Sequence, residues 1–485
     1  MTVYLVGAGP GDPGLLTVRG AALLGRADVV IYDRLSVHSL LDLAPPGAER
    51  IPVGKAPGRG PTQSEINELL VTHGRSGATV VRLKGGDPFI FARGGEEAAA
   101  LLEAGIPFEV VPGISSAIAA PAYAGIPVTL RYSSTSFTVV TGHEDPSSGE
   151  GTVDWEAVAR VGGTILVLMG VERIARIVER LLAGGLPPDT PAAAVTWGTR
   201  PEQVTVRCRL DELPTRGVRP PAVFVIGRVA AAELPWFEQR ALFGRRIVVT
   251  RTRRQASALS ARLLELGALP IEVPTIAIEA AADGGAALRD GVDRLRAGQY
   301  DWLVLTSPNG VERLFEAIPD SRDVRARVAA IGPGTAAALA ERRVVADLVP
   351  EAFVAESLLE AFPAGPGRVL LARAAVARDV LPDGLAAKGW DVDVVEAYRT
   401  VPAQIREEQL EALDAADAVT FTSSSTVARF VELVGRDRVP PVVASIGPIT
   451  SAAAAELGIV VDVEASEHSI DGLVAALVDH FAPRG

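Results

Sequence analysis

The first pattern able to do chemistry in this 485-residue chain is glycine-rich. Gly7-Ala8-Gly9-Pro10-Gly11-Asp12 follows the apolar run Val3 to Val6, and glycines there let a ligand approach bare backbone. The turn imitates a dinucleotide loop, and Asp33 stands about 20 residues on, where such folds keep a ribose-binding acid. The sixth position, however, needs glycine for close helix–strand packing and here is Asp12, while Pro10 interrupts the turn. A ligand-binding turn without NAD is the reading that survives. Asp33 follows a strand and could also simply cap a turn; Lys55, before Ala56-Pro57-Gly58, could be a solvated loop lysine. Cys208 is the one cysteine and the five histidines show no ligand spacing, so neither a disulfide nor a metal site is expected.

The elements that must position these residues alternate. Val3 to Val6, Val29 to Tyr32, Thr79 to Leu83, Phe108 to Val111, Phe137 to Thr141 and Thr164 to Met169 read as strands. Patterned helices such as Ser64 to Thr72 and Gly95 to Ala104 lie between them, which argues for α/β architecture. Pro235 to Gly244 carries no clear period and a new strand, Arg246 to Thr250, follows, so the main domain boundary is expected near residue 243.

The second half is internally duplicated. Arg246-Ile-Val-Val-Thr-Arg-Thr with Leu266-Gly267-Ala268 resembles Arg368-Val-Leu-Leu-Ala-Arg-Ala with Lys388-Gly389-Trp390. Asp301-Trp-Leu-Val-Leu-Thr-Ser matches Asp417-Ala-Val-Thr-Phe-Thr-Ser, and Ala330-Ile331-Gly332-Pro333 matches Ser445-Ile446-Gly447-Pro448. Two similar α/β lobes with a ligand cleft between them are expected.

The net charge of −12 disfavours nucleic acid and anionic membrane surfaces as partners. No apolar run reaches the roughly 18–20 residues that cross a bilayer, and the N-terminus lacks the pattern of a signal peptide. A cytoplasmic enzyme is expected.

Longer motifs then make the first half specific. Val6-Gly-Ala-Gly-Pro-Gly-Asp-Pro-Gly-Leu-Leu-Thr17 resembles the opening of the precorrin methyltransferase superfamily. Tyr32-Asp33-Arg34-Leu35, Val53-Gly54-Lys55, Arg82-Leu-Lys-Gly-Gly-Asp-Pro-Phe-Ile-Phe91, Val111-Pro-Gly-Ile-Ser115 and Gly125-Ile-Pro-Val-Thr129 narrow the resemblance to uroporphyrinogen-III C-methyltransferases over residues 1 to about 240. It implies a two-lobed tetrapyrrole methylase fold and a homodimer. It also implies S-adenosylmethionine contacts at Pro10, Gly85, Gly86, Asp87, Ile90, Ser115, Ser116, Met169 and Gly198, with Asp33 as proton acceptor and Lys55 as proton donor. A carboxylate suits that role, because a pyrrole carbon that attacks the sulfonium methyl must afterwards lose a proton. The sequence departs from the family in having Ser115-Ser116 for Thr-Ala, which keeps a hydroxyl, and Ala56 for the arginine after Gly-Lys, with Arg59 nearby.

Residues 245 to 480 resemble uroporphyrinogen-III synthase through Val249-Thr-Arg251, Leu305-Thr-Ser307, Ile331-Gly-Pro333, Glu396-Ala-Tyr398-Arg-Thr400, Phe421-Thr-Ser423 and Ile446-Gly-Pro448. The resemblance implies two lobes, the first discontinuous: 244–279 with 402–485, and 280–401. Its substrate, linear hydroxymethylbilane, is a polycarboxylate, and turns at Arg251, Ser307, Thr422, Ser423, Gly447 and Thr450 are expected to bind it. Tyr398 is the candidate acid for the departing hydroxyl; the alternative is packing at a strand end. Thr422 and Ser423 could likewise cap the next helix. A non-catalytic tetrapyrrole-binding or regulatory module is the alternative for this whole half.

Overall fold

A computed structural model describes residues 2–33, 38–54, 60–143, 153–250, 253–377, 379–403, 405 and 407–482. Met1–Arg246 with Arg262–Leu269 and Phe481–Gly485 form one compact unit; Ile247–Ala261 with Pro270–His480 form the other. Among the described residues, no helix is long and apolar enough to cross a membrane.

The first unit holds two five-stranded sheets. One contains β1 (Val3–Gly7), β2 (Val29–Tyr32), β3 (Glu49–Pro52), β4 (Val80–Lys84) and β5 (Phe108–Val111), all parallel, in the order β3-β2-β4-β1-β5. Parallel strands covered by helices on both faces read as continuous apolar runs, as in Val29-Val30-Ile31. β4 breaks that rule. Arg82 and Lys84 sit two apart, hence on one face of a fully buried strand.

The other sheet contains β6 (Phe137–Thr141), β7 (Thr164–Leu168), β8 (Pro191–Thr196), β9 (Val204–Arg209) and β10 (Ala222–Ile226), in the order β6-β7-β10-β8-β9. Only β6 and β7 run parallel; β10 lies antiparallel to β7 and β8. β7 stops one residue short of the expected Met169, whose φ of 54° is left-handed and ends the extended run. The expected helix at Ser64 extends over Gln63–Arg75, because Thr62 and Glu65 close a reciprocal capping box. The aperiodic stretch before residue 244 is a series of turns whose Trp236 and Phe237 pack on Tyr123, with ring centroids 4.9 and 4.8 Å away.

The second unit is built twice. One sheet contains β11 (Arg246–Val249) and β12 (Leu269–Glu272) from the start of the half, with β18 (Ala418–Phe421), β19 (Val442–Ser445) and β20 (Val463–Glu464) from its end, ordered β12-β11-β18-β19-β20. The intervening chain makes the second sheet from β13 (Ile276–Glu279), β14 (Trp302–Leu305), β15 (Arg327–Ala330), β16 (Gly367–Ala374) and β17 (Trp390–Pro402), ordered β13-β17-β16-β14-β15. The first lobe is therefore discontinuous. β11-β18-β19 and β16-β14-β15 are the same parallel arrangement made from the duplicated segments. The match extends to single bonds: Val328 N–H donates to Asp347 Oδ2 at 2.7 Å, and Val443 N–H to Asp462 Oδ2 at 2.8 Å. One expected lobe edge moves. β13, assigned to the first lobe by a boundary at 279, pairs antiparallel with the end of β17, Ile276 opposite Pro402, because its backbone groups find their ladder partners there.

Candidate functional sites

In the first unit the glycine turns meet at the carboxyl ends of β1, β4 and β5, the usual ligand edge of a parallel sheet. Gly9 N–H donates to the Gly86 carbonyl at 3.2 Å, and Gly86 N–H returns a bond to Gly9 at 2.8 Å. A Cβ on Gly7 would stand 2.5 Å from Gly113 Cα, so these backbones touch with no room for side chains. Gly86 itself has φ 68°, and the place its Cβ would take holds only Ser115 Cα, 3.9 Å off. That bare cradle fits a ligand resting on backbone. Asp87 and Ser115 adjoin it, and Pro10 and Gly85 are the chain neighbours of Gly9 and Gly86.

Asp87 is buried, and its two oxygens accept the N–H groups of Phe89 at 2.8 Å and Gly113 at 3.0 Å, which ties β4's loop to β5's. Ser115 caps the helix Ser116–Tyr123, its hydroxyl accepting Ala117 N–H at 3.3 Å. Gly198 packs on that helix: a Cβ there would lie 2.4 Å from Ala120 Cβ. Ile90 and Met169 are half-exposed, and Ile90 N–H donates to the Asp87 carbonyl at 3.4 Å. Asp12, the residue that spoils a dinucleotide turn, accepts Gly14 N–H at 2.7 Å and the Tyr123 hydroxyl at 2.7 Å, while its own N–H donates to Thr199 Oγ at 3.1 Å. Burial, then the bond to Asp12, pushes the Tyr123 phenol well above its ordinary range, so it stays a donor.

Asp33 lies just past β2 with its side chain 31 % exposed. Arg82 Nη2 donates to its Oδ1 at 2.5 Å. Behind Arg82 stands Glu97, on the helix Gly94–Glu103. Arg82, Lys84 and Glu97 are 2 %, 1 % and 0 % exposed. Burial and the neighbouring Arg82 cation lower the Lys84 ammonium's pKa below its usual range, against the opposing pull of Glu97. Sequence reading passed over Lys84 and Glu97 and used Arg82 only as a motif letter. The available signal was two charges at alternate positions inside an apolar strand. Lys55 lies outside the described residues.

In the second unit, four turns at the carboxyl ends of strands open helices in matched pairs. Ser307 and Ser423 cap Pro308–Ala317 and Ser424–Val434 with nearly identical backbone, φ −163° and −166°. Gly332 and Gly447 precede Pro333–Glu341 and Pro448–Glu456, each with proline in the first turn. A Cβ on Gly447 would meet the His468 ring at 2.7 Å, and one on Gly332 would meet Phe353 at 3.0 Å, so each turn lies under a side chain 21 residues on. The Ser423 hydroxyl accepts Thr426 N–H at 3.4 Å, and Thr422 precedes it, partly buried. Thr450 is 4 % exposed, one turn into its helix on the inner face, as is Thr335 in the other lobe. Tyr398 is 7 % exposed, and its hydroxyl lies 3.0 Å from Ser307 Oγ, which also accepts Gly310 N–H at 3.0 Å. Arg251 lies outside the described residues.

Both halves of the chain match known families. Residues 2–214 match the tetrapyrrole (corrin/porphyrin) methylases, and residues 257–475 match uroporphyrinogen-III synthase HemD. The class is thus a tetrapyrrole methylase joined in one chain to a synthase of the HemD type. A porphyrin biosynthesis protein HemD of Ruminiclostridium josui is 37 % identical over 454 residues, covering 88 % of each chain. An S-adenosyl-L-methionine-dependent uroporphyrinogen III methyltransferase of Methanosarcina barkeri is 51 % identical over 47 % of this chain and 91 % of its own length. A solved structure of the Thermus thermophilus uroporphyrin-III C-methyl transferase complexed with S-adenyl homocysteine is 43 % identical, covering 48 % of this chain and 94 % of that one, with a TM-score of 0.42. The chain belongs to the uroporphyrinogen-III methyltransferases through its first half and to the uroporphyrinogen-III synthases through its second.

Proposed function

We propose that this chain closes hydroxymethylbilane to uroporphyrinogen III and then methylates that product twice to precorrin-2. The observation that carries the reading is the presence of both families in one chain, with a relative that spans both halves. S-adenosylmethionine, when bound, supplies an electrophilic methyl group. The chain's own part is to seat it on the backbone of Gly85 and Gly86, beside Pro10, Asp87, Ser115 and Ser116, with Ile90, Met169 and Gly198 completing the contacts. Asp33, held through Arg82, receives the proton that leaves the methylated ring system, and Lys55 acts as donor.

In the synthase half, backbone amides and hydroxyls at Ser307, Thr422, Ser423 and Gly447, with Arg251, bind substrate carboxylates. Tyr398 assists departure of hydroxide through Ser307, the partner its hydroxyl already has. The burial of Thr450 favours packing over substrate contact. The domains of this reading are 1–243 and 244–485, with the second lobe of the synthase beginning at β13. The reading includes a homodimer through the methyltransferase half, for which the exposed run Phe89-Ile90-Phe91 offers apolar surface. It also places the protein in the cytoplasm, without nucleic-acid partners, in keeping with a net charge of −12.

The test uses the whole chain. Without S-adenosylmethionine, hydroxymethylbilane should give the type III isomer; uroporphyrinogen III with S-adenosylmethionine should gain two methyl groups. An isomer ratio equal to the enzyme-free control would remove the synthase assignment and favour the non-catalytic module.

A further inference from the structure

Glu97 is fully buried, yet among the described residues only one of its oxygens has partners. Oε1 accepts from Lys84 Nζ at 2.8 Å, Arg82 Nε at 3.1 Å and Gln63 Nε2 at 3.5 Å, while Oε2 is buried with no partner among the described residues. A buried carboxylate is costly unless every lone pair is met, and apolar residues of similar volume often replace buried ion clusters without loss of stability. Glu97 offsets the charge of the buried Arg82 and Lys84, so removing it alone would be destabilising, but charge balance does not explain the direction of its bonds. Arg82 presents a flat fork whose inner edge rests on Glu97 and whose Nη1 points to the Leu83 carbonyl at 3.3 Å and the Ile31 carbonyl at 3.5 Å. With that edge pinned, Nη2 can meet only what lies at the end of β2, and it meets Asp33 at 2.5 Å. Lys84, on the same face of β4, donates to the same Glu97 oxygen.

We infer that Glu97 is a positioning residue for methyl transfer: from inside the fold it fixes the Arg82 guanidinium, and through it the Asp33 carboxylate. The inference rests on the reading of Asp33 as proton acceptor. Asp33 stands 31 % exposed at a strand end, where a carboxylate alone would swing between rotamers; the relay anchors it to the interior.

The experiment compares the full chain with its Glu97→Asp, Glu97→Gln, Arg82→Met, Arg82→Met/Glu97→Asp and Asp33→Asn variants. The readouts are kcat and KM for uroporphyrinogen III and calorimetric affinity for S-adenosylhomocysteine. Glu97→Asp keeps the charge but withdraws the carboxylate by one methylene. It should lose about 10–100-fold in kcat, the scale of a small misplacement, with KM and cofactor affinity nearly unchanged. Glu97→Gln keeps the shape, and its amide oxygen can replace Oε1 as the acceptor. It should stay within about threefold of wild type, even if its melting temperature falls. A role in charge balance alone reverses that order. The double variant should be no slower than Arg82→Met.

Wild-type kcat in folded Glu97→Asp, a reversed order, or additive losses in the double variant would each overturn the inference while leaving Asp33's role intact. Should Glu97→Gln fail to fold, Glu97→Asp decides; should Glu97→Asp fail, Arg82→Met decides, a loss of kcat at unchanged KM supporting the relay and wild-type kcat overturning it. Full activity in Asp33→Asn would instead remove the Asp33 reading, and the inference with it.

Discussion

Gly113 and Gly86 meet backbone to backbone: a Cβ built on Gly113 would stand 2.2 Å from the Gly86 carbonyl oxygen. Neither partner is a flexible side chain, so the clash can be relieved only by parting the loops after β4 and β5. Gly113→Ala should destabilise the protein by about 1–3 kcal/mol, as overpacked sites do, and weaken S-adenosylhomocysteine binding in calorimetry. Unchanged melting and unchanged affinity would mean that the two loops part without consequence.

Lys84 makes a prediction about pH. Burial, then Arg82, lowers its native pKa from 10.5, while the unfolded chain keeps the ordinary value. Between the lowered value and 10.5 the unfolded state binds more protons, so unfolding free energy rises with pH across that window. Below the window the buried ammonium lowers stability. Urea titrations from neutral pH to about 10 should therefore show wild type gaining on Lys84→Met as pH increases. A flat or falling difference would contradict the burial of a charged Lys84.

The paired aspartates test the duplication at the level of energy. Asp347→Ala and Asp462→Ala each strip the acceptor from one strand N–H, Val328 or Val443. Each should cost about 1–2 kcal/mol by denaturant unfolding, and the two costs should agree within about 1 kcal/mol. If one substitution is silent and the other severe, the lobes share a shape but not the bonds that hold it.

Tyr398→Phe removes only the hydroxyl that meets Ser307, leaving a ring buried in the same core. Type III formation should slow by about 10²-fold without stopping, because positioning by backbone amides survives. Ser307→Ala should slow it similarly. Unchanged turnover in both would leave Tyr398 as a packing residue.

What could be read in the sequence follows the range of the interactions. The strands Val29 to Tyr32 and Phe108 to Val111 stand as expected, since β-branched runs between turn residues need no distant partner. The duplication was visible because the repeated turns, Leu-Thr-Ser307 and Phe-Thr-Ser423, carry their own capping hydroxyls. Asp12 was opaque: its partners Tyr123 and Thr199 lie 111 and 187 residues away. Glu97 reads as one more first-turn acid of a helix, which is where acids belong, until β4 sets Arg82 and Lys84 against it. β13 was misplaced by a boundary drawn on sequence position, when strand pairing decides which sheet it joins.

The most direct test of the two joined activities is a single incubation of the whole chain with hydroxymethylbilane and S-adenosylmethionine, with the tetrapyrroles formed identified by mass and isomer type. The expected product is precorrin-2, of type III skeleton with two added methyl groups, formed without any added enzyme. Unmethylated type I uroporphyrinogen in the enzyme-free proportion would contradict the synthase half, and unmethylated type III product would contradict the methyltransferase half.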